Sequence, residues 1–168
     1  LMEHSTELSK ILSFLEETGI PFQFRSIPPE DCFLPGLLIE NGAIIIDEKN
    51  LKYPGDILHE AAHLAVIPAA ERARLNGKEI GSRPQNAAEE MMAIAWSYAA
   101  CVYLSIDPYF VFHNEGYQGG GHQLADNFKE GRYFGTPMLQ WVGLTAEKAR
   151  ANELGINPYP SMIRWLRD

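Results

Sequence analysis

Residues 56–66, DILHEAAHLAV, contain two histidines four positions apart, with a glutamate directly after the first. Residues four apart on a helix lie one turn apart on the same face, so His59 and His63 can direct two imidazole nitrogens at one point. Two such nitrogens suit a tetrahedral zinc site, and Glu60 would then lie beside the water in the open coordination position. The pattern H-E-x-x-H therefore predicts zinc-dependent hydrolysis of a carbonyl compound, with Glu60 as the general base.

The same three side chains could instead form a hydrogen-bonded cluster in the core. Most other positions of the segment are apolar, so the sequence predicts a helix that is buried apart from its polar residues. Burying two histidines and a glutamate without partners would cost on the order of several kcal/mol. Either a metal ion or mutual hydrogen bonds must therefore satisfy them, and the metal site is the prediction that we favour.

A zinc site of this kind needs a third protein ligand. No histidine follows His63 at the spacing of the long metzincin motif. A glutamate from a following helix is the other common solution, and Glu89 and Glu90 stand at the start of the next long apolar segment. Acidic residues at a helix start also favour the positive end of the helix dipole, which could account for one or both. Helical periodicity alone does not choose between Glu89 and Glu90.

HEAAH followed downstream by ExxAxxW resembles the zincin-like metallopeptidases of gluzincin type. The segment is more similar to the small IrrE/ImmA-like group, in which a helix reading roughly E-x-x-A-x-x-F-A follows HExxH. In this register Glu90 takes the place of the ligand. Ala93 is the small residue and Trp96 the aromatic one, while Ser97 stands where the family usually has alanine.

This resemblance covers about residues 34–104. It implies an α+β, zincin-like fold in which the active-site helix and the helix bearing the third glutamate pack with a small N-terminal β-sheet or hairpin. It also implies bound Zn²⁺, held by His59, His63 and Glu90, and hydrolysis of a peptide or protein substrate. Glu89 remains the alternative third ligand.

Hydrolysis of a peptide also needs a donor to the oxyanion, often a tyrosine or a histidine. Tyr117 and His122 belong to the stretch GYQGGGH, which could form a flexible loop bordering a cleft, and His113 is a lesser candidate. An exposed loop residue or helix cap explains His122 equally well. The glycine run does not predict a phosphate-binding loop, because no Gly-Lys-Ser/Thr sequence follows it.

Hydrophobic periodicity predicts the elements that must position these residues. A helical pattern covers residues 5–18 and ends at Gly19, and the alternating stretch FQFRSI then suggests a strand. Two β-branched runs flank Asn41-Gly42, which is a strong signal for a short hairpin. We therefore expect a hairpin whose second arm, residues 43–47, is the last strand before the motif.

Helices should dominate the rest of the chain. Asp56 is predicted as the N-cap of the motif helix, which should run from about residue 57 to 66. A short helix should open at Pro68, and a polar loop should then lead to AAEEMMAIAWSYAACVYL. Because this run is apolar on most faces, it predicts a central, largely buried helix. Further helical segments are expected in QLADNFKEGRYF, TAEKARANELG and SMIRWLRD.

Composition narrows the class of protein. A chain of 168 residues, 46% hydrophobic and 21% charged, can bury a proper core, so residues 1–168 are predicted to form one domain. The formal charge of −8, without any run of lysine and arginine, argues against nucleic acid as a partner. No apolar run reaches the roughly 18 residues that span a bilayer, and two cysteines are too few for a disulfide framework. The expectation is a cytoplasmic protein with neither nucleic-acid nor membrane partners.

Three functions remain open from the sequence. The first is a small zinc metallopeptidase, and the second is a catalytically silent, metal-binding regulatory domain that acts through a protein partner. The third is a metal-free structural domain in which the two histidines and the glutamate pair among themselves. Glu60 favours the first, because a domain without hydrolysis would have no chemical use for that carboxylate.

Overall fold

The computed structural model describes residues 5–168, so residues 1–4 of the predicted domain lie outside the described part. The described residues form α-helices and a small three-stranded sheet, which confirms the predicted α+β class. The helices are α1 (Thr6–Thr18), α2 (Asp56–Ala65), α3 (Ala69–Arg72), α4 (Asn86–Leu104), α5 (Pro108–Val111), α6 (Gly121–Lys129), α7 (Thr136–Trp141) and α8 (Lys148–Leu154). The strands are β1 (Phe22–Phe24), β2 (Leu37–Glu40) and β3 (Ala43–Ile46).

The sheet has the strand order β1-β3-β2, with β3 parallel to β1 and antiparallel to β2. Asn41 and Gly42 connect β2 to β3 with φ values of 47° and 77°. A two-residue hairpin turn of type I′ requires positive φ at both central positions, which Asn and Gly tolerate best. The predicted hairpin is therefore confirmed, and β1 confirms the predicted first strand in a shorter form.

The motif helix α2 packs against α4 in the centre of the molecule. Every residue from 92 to 101 of α4 is buried, which confirms the predicted central helix. Several fully buried positions on both helices carry the small side chain of alanine, such as Ala61 and Ala65 on α2 and Ala93 on α4. Although α4 has 19 residues, no helix in the described part of the chain is long and apolar enough to cross a membrane.

The start of α2 differs from the prediction. Asp56 is the first residue of the helix and Gly55 occupies the N-cap position, without a side-chain cap. A Cβ atom at Gly55 would overlap the carbonyl of Phe110, so this position needs glycine. The carboxylate of Asp56 lies 2.6 Å from Nε2 of His113. Tertiary contacts with the segment after α4 therefore replace the expected local cap.

The last eight residues also differ from the prediction, because they form no helix. Some of their backbone groups bond to the central helices instead, and the N–H of Ile163 donates to the carbonyl of Leu144 (2.8 Å). The N–H of Arg167 donates to the carbonyl of Ala65 (2.9 Å), and the indole N–H of Trp96 donates to the carbonyl of Trp165 (2.9 Å). Residues 77–82, expected in a polar loop, form a 3₁₀ helix.

Two arginines cap the C-terminal end of α2. Arg72 Nε donates to the carbonyl of Leu64 (2.8 Å), and the guanidinium of Arg167 donates to the carbonyl of Val66 (3.2 Å). The last carbonyls of a helix lack partners within it and carry the negative end of its dipole. The two cationic groups therefore hold in place the helix end that bears His63.

Candidate metal centre

His59, His63 and Glu90 bring their ligand atoms together between α2 and the start of α4. The two Nε2 atoms of the histidines lie 3.0 Å apart, and the carboxylate oxygens of Glu90 lie 3.5 Å from His59 Nε2 and 3.3 Å from His63 Nε2. Among residues 5–168, this is the only group of three such side chains whose ligand atoms converge in this way. Tetrahedral zinc with bonds of about 2.0–2.1 Å has its ligand atoms about 3.3 Å apart. The donor atoms and their spacing therefore fit zinc.

Burial favours the neutral form of both histidines. It lowers the pKa of His63 to about 4 and the pKa of His59 well below its usual value of 6.5. The positive charges that His63 and His113 can carry lower the pKa of His59 further. A metal ion binds the lone pair of a neutral imidazole, so the surroundings keep both side chains in the form that a metal requires.

The structure separates the two adjacent glutamates. Glu90 faces the histidines, whereas the buried carboxylate of Glu89 accepts two hydrogen bonds from Arg83, at 2.7 and 2.9 Å. Arg83 also pairs with Glu71 at 2.8 Å, and these bonds, chiefly those to Glu89, raise the pKa of its guanidinium. Through Arg83, Glu89 therefore links the start of α4 to the preceding loop and to Glu71 on α3. Its carboxylate already accepts the hydrogen bonds of Arg83 and does not face the histidines.

Glu60 lies buried beside the histidine pair, with 6% of its surface exposed, and lines the adjacent cavity. Within the described residues, no group donates a hydrogen bond to its carboxylate. Burial raises the pKa of Glu60 to about 8, and the nearby carboxylates of Asp56 and Glu90 contribute to the rise. Glu60 is thus a carboxyl group without a hydrogen-bond donor among the described residues, and its affinity for protons is increased.

Metal-free Glu60→Gln should be more stable than the metal-free wild type at pH 9. Burial raises the pKa of Glu60 to about 8 in the fold, from its ordinary value of 4.5. The fold therefore loses stability as the pH rises from the lower value through the higher one, because Glu60 must ionise while buried. Glutamine does not ionise, and one pKa unit is about 1.4 kcal/mol, so the rise from 4.5 to about 8 limits the gain in the free energy of unfolding to about 5 kcal/mol. Because burying the glutamine amide costs part of this gain, we expect about 2–4 kcal/mol.

Urea unfolding in the presence of a chelator measures this difference. The same pair compared at pH 5 serves as the control, since the carboxyl group is protonated there in the folded wild type. A difference in stability that stays constant from pH 5 to pH 9 would contradict the assigned burial of an ionising Glu60.

The residues predicted as oxyanion donors lie in different places. The ring of Tyr117 packs edge-on against His59, and its hydroxyl lies 3.2 Å from His59 Nδ1. His122 is exposed, its backbone N–H donates to Asn114, and its ring packs against Tyr109. The described residues that line the cavity include Tyr117 but not His122. The structure therefore brings Tyr117 to the histidines and does not bring His122 there.

His113, the lesser candidate, lines the cavity and bonds to Asp56. Its ring stacks on Tyr53 with centroids 4.0 Å apart and an interplanar angle of 18°. Burial raises the pKa of Asp56, against the opposite effect of its bond to His113. Sequence reasoning missed this pair, although Asp56 stands three and four residues before His59 and Glu60 and so shares their helix face.

The cavity beside the cluster has a volume of about 1010 Å³, close to the upper end for clefts that hold ligands. Its polar lining comes mainly from α2, the start of α4 and the segment after α4. β2 and the loop before it contribute mostly apolar side chains, with Glu30 and Asp31 beside them. The apolar lining residues include Phe33, Leu34, Pro35, Leu37, Leu38, Ile39 and Ile80.

Comparison of the chain with protein-family models, curated proteins and solved structures finds no match. The interpretation of the site therefore rests on its distances, its burial and the chemistry of its donor atoms.

Proposed function

We propose that the protein is a zinc metallopeptidase with a zincin-like fold, in which His59, His63 and Glu90 bind zinc and Glu60 is the general base. The observation that carries the proposal is the convergence of two imidazole nitrogens and a carboxylate, 3.0–3.5 Å from one another. Two histidines and one glutamate are a common catalytic zinc set, which leaves a coordination position for water or substrate. The motif helix, the helix with Glu90 and the small sheet also agree with the arrangement that the resemblance to gluzincins implies.

Zinc held there would polarise a substrate carbonyl and lower the pKa of a coordinated water to about 7. Glu60 accepts the proton of the attacking water and then donates it to the leaving amine. Its carboxylate is suited to both steps, because it lines the cavity and accepts no hydrogen bond from the described residues. Burial and the carboxylates of Asp56 and Glu90 raise its pKa in the metal-free site, and the positive charge of a bound zinc ion would oppose that rise and favour the carboxylate that acts as the base.

The polar and apolar parts of the cavity lining suit different parts of a substrate. The polar wall holds the proposed zinc ligands and Glu60, whereas the wall near β2 offers leucine and isoleucine side chains. A peptide presents both a polar main chain and side chains of varied polarity, so a cleft with these two walls suits it. The cleft supports a peptide rather than a small polar molecule as the substrate.

Protein purified without chelator should contain about one zinc ion per chain, and His63→Ala should contain almost none. His63 supplies one of the three ligand atoms, and alanine leaves only two. Elemental analysis by mass spectrometry measures the zinc content. His122→Ala is the matched control, because it removes an exposed histidine outside the cavity and should leave the zinc content unchanged. A metal-free wild type that cannot be reloaded with zinc would refute the proposal.

A further inference from the structure

Tyr117 contacts the proposed ligand set from outside it. Its hydroxyl lies 3.2 Å from Nδ1 of His59, and the two rings are 5.4 Å apart at an interplanar angle of 83°. Nε2 of the same histidine faces His63 and Glu90. The hydroxyl of Tyr117 therefore contacts Nδ1, the ring nitrogen of His59 that does not face the other two ligands.

We propose that Tyr117 is a positioning residue for the metal, whose hydroxyl oxygen accepts the Nδ1–H of His59 and so directs the Nε2 lone pair at the cluster. The inference rests on the zinc site proposed above. A neutral imidazole carries one N–H, so a proton held on Nδ1 leaves Nε2 free for a cation. Metal-binding histidines usually donate their other N–H to a carboxylate, a carbonyl or water, which orients the ring and raises its basicity. In this chain a phenol hydroxyl has that position.

The backbone around Tyr117 adopts an unusual conformation. Tyr117 and Gln118 have φ values of 53° and 55°, in the left-handed region that bulky side chains rarely adopt, and Gly119 follows with 83°. The N–H of Gly119 donates to the carbonyl of Gly116 (3.0 Å), which closes the turn. Strain of this kind persists only where surrounding contacts hold it, and it is concentrated at functional sites. A strained turn therefore presents the side chain whose hydroxyl lies 3.2 Å from Nδ1 of His59.

Both ends of this loop are anchored, so the position of Tyr117 does not depend on its hydroxyl alone. Phe112 is fully buried before the loop, and its ring lies 5.3 Å from that of Tyr117. Gly121 is buried after the loop, packed so closely that a Cβ atom would overlap the carbonyl of His113. Tyr117→Phe should therefore keep the fold of the loop, because the aromatic contacts with His59 and Phe112 remain.

Tyr117→Phe should weaken the affinity for Zn²⁺ by about 10–100-fold, the usual effect of losing a hydrogen bond to a metal ligand. Competition with a chromophoric chelator measures the affinity of each variant. Tyr109→Phe is the matched control: it also loses a phenol hydroxyl bonded to a side chain, that of Asp126, but it lies outside the cavity. The control should bind Zn²⁺ as tightly as the wild type. An equal loss of affinity in both variants would overturn the inference.

A second measurement follows the His59 Nδ1 proton in ¹H–¹⁵N spectra of the Zn²⁺-loaded protein. This proton should exchange slowly with water in the wild type and quickly in Tyr117→Phe, because phenylalanine lacks the hydroxyl oxygen that accepts it. Unchanged affinity and unchanged exchange in Tyr117→Phe would overturn the inference and leave the zinc site intact. A wild type that binds no Zn²⁺ would overturn the proposed function and this inference together.

Discussion

Replacing Glu60 with glutamine should lower the rate of peptide hydrolysis at least about 100-fold while leaving the zinc content unchanged. Glu60 follows His59 by one residue, so on the helix its side chain is turned about 100° from the ligand direction. Its carboxylate lines the cavity beside the cluster rather than completing it. Glutamine keeps the shape of the side chain but cannot accept the proton of the attacking water.

A broad peptide library digested by wild type and Glu60→Gln, with the zinc content of both measured, tests this expectation. Glu153→Gln is a suitable control, because Glu153 is exposed on α8, pairs with Arg150 and does not line the cavity among the described residues. Wild type that binds zinc and cleaves nothing would favour a catalytically silent domain acting through a protein partner. A Glu60→Gln variant as active as the wild type would show that another site or a contaminant cleaves the peptides.

Glu90→Ala should weaken zinc binding by more than the roughly 10–100-fold expected for residues outside the ligand set. The neighbouring substitution Glu89→Ala should leave zinc binding nearly unchanged. It should instead lower the free energy of unfolding by about 1–3 kcal/mol, because Arg83 would lose its two hydrogen bonds to Glu89. The pair makes a matched comparison, since each variant removes one carboxylate from the same helix turn.

Chelator competition measures zinc affinity, and urea unfolding in the presence of chelator measures stability without the contribution of the metal. If Glu89→Ala lost zinc and Glu90→Ala retained it, the assigned register of α4 would be one residue out of phase. If neither variant lost zinc, a different side chain would have to supply the third ligand.

Local sequence signals determined the elements that carry the site. The spacing of His59 and His63 follows from the pitch of a helix, so their closeness could be predicted before any packing was known. The Asn41-Gly42 turn requires positive φ at two positions, which few other residue pairs accept, and it placed the hairpin correctly. The apolar faces of α4 likewise predicted its burial. Each of these features depends on neighbouring residues alone.

Packing between distant segments decided the rest of the candidate site. Glu89 and Glu90 are equivalent in the sequence pattern, and they differ because Arg83 engages one carboxylate while the other faces α2. Tyr117 and His122 share one glycine-rich stretch, yet the left-handed turn directs only the tyrosine at His59.

At two places, contacts with distant segments replaced the structure that the local sequence predicted. These are the start of α2 and residues 161–168. Asp56 bonds to His113 instead of capping α2. Residues 161–168 form no helix, and backbone groups of Trp165 and Arg167 bond to α4 and α2. A polar group satisfies its hydrogen bond with whichever partner the folded chain brings within reach. For these residues the partner lies more than fifty positions away along the chain, where no pattern of neighbours reveals it.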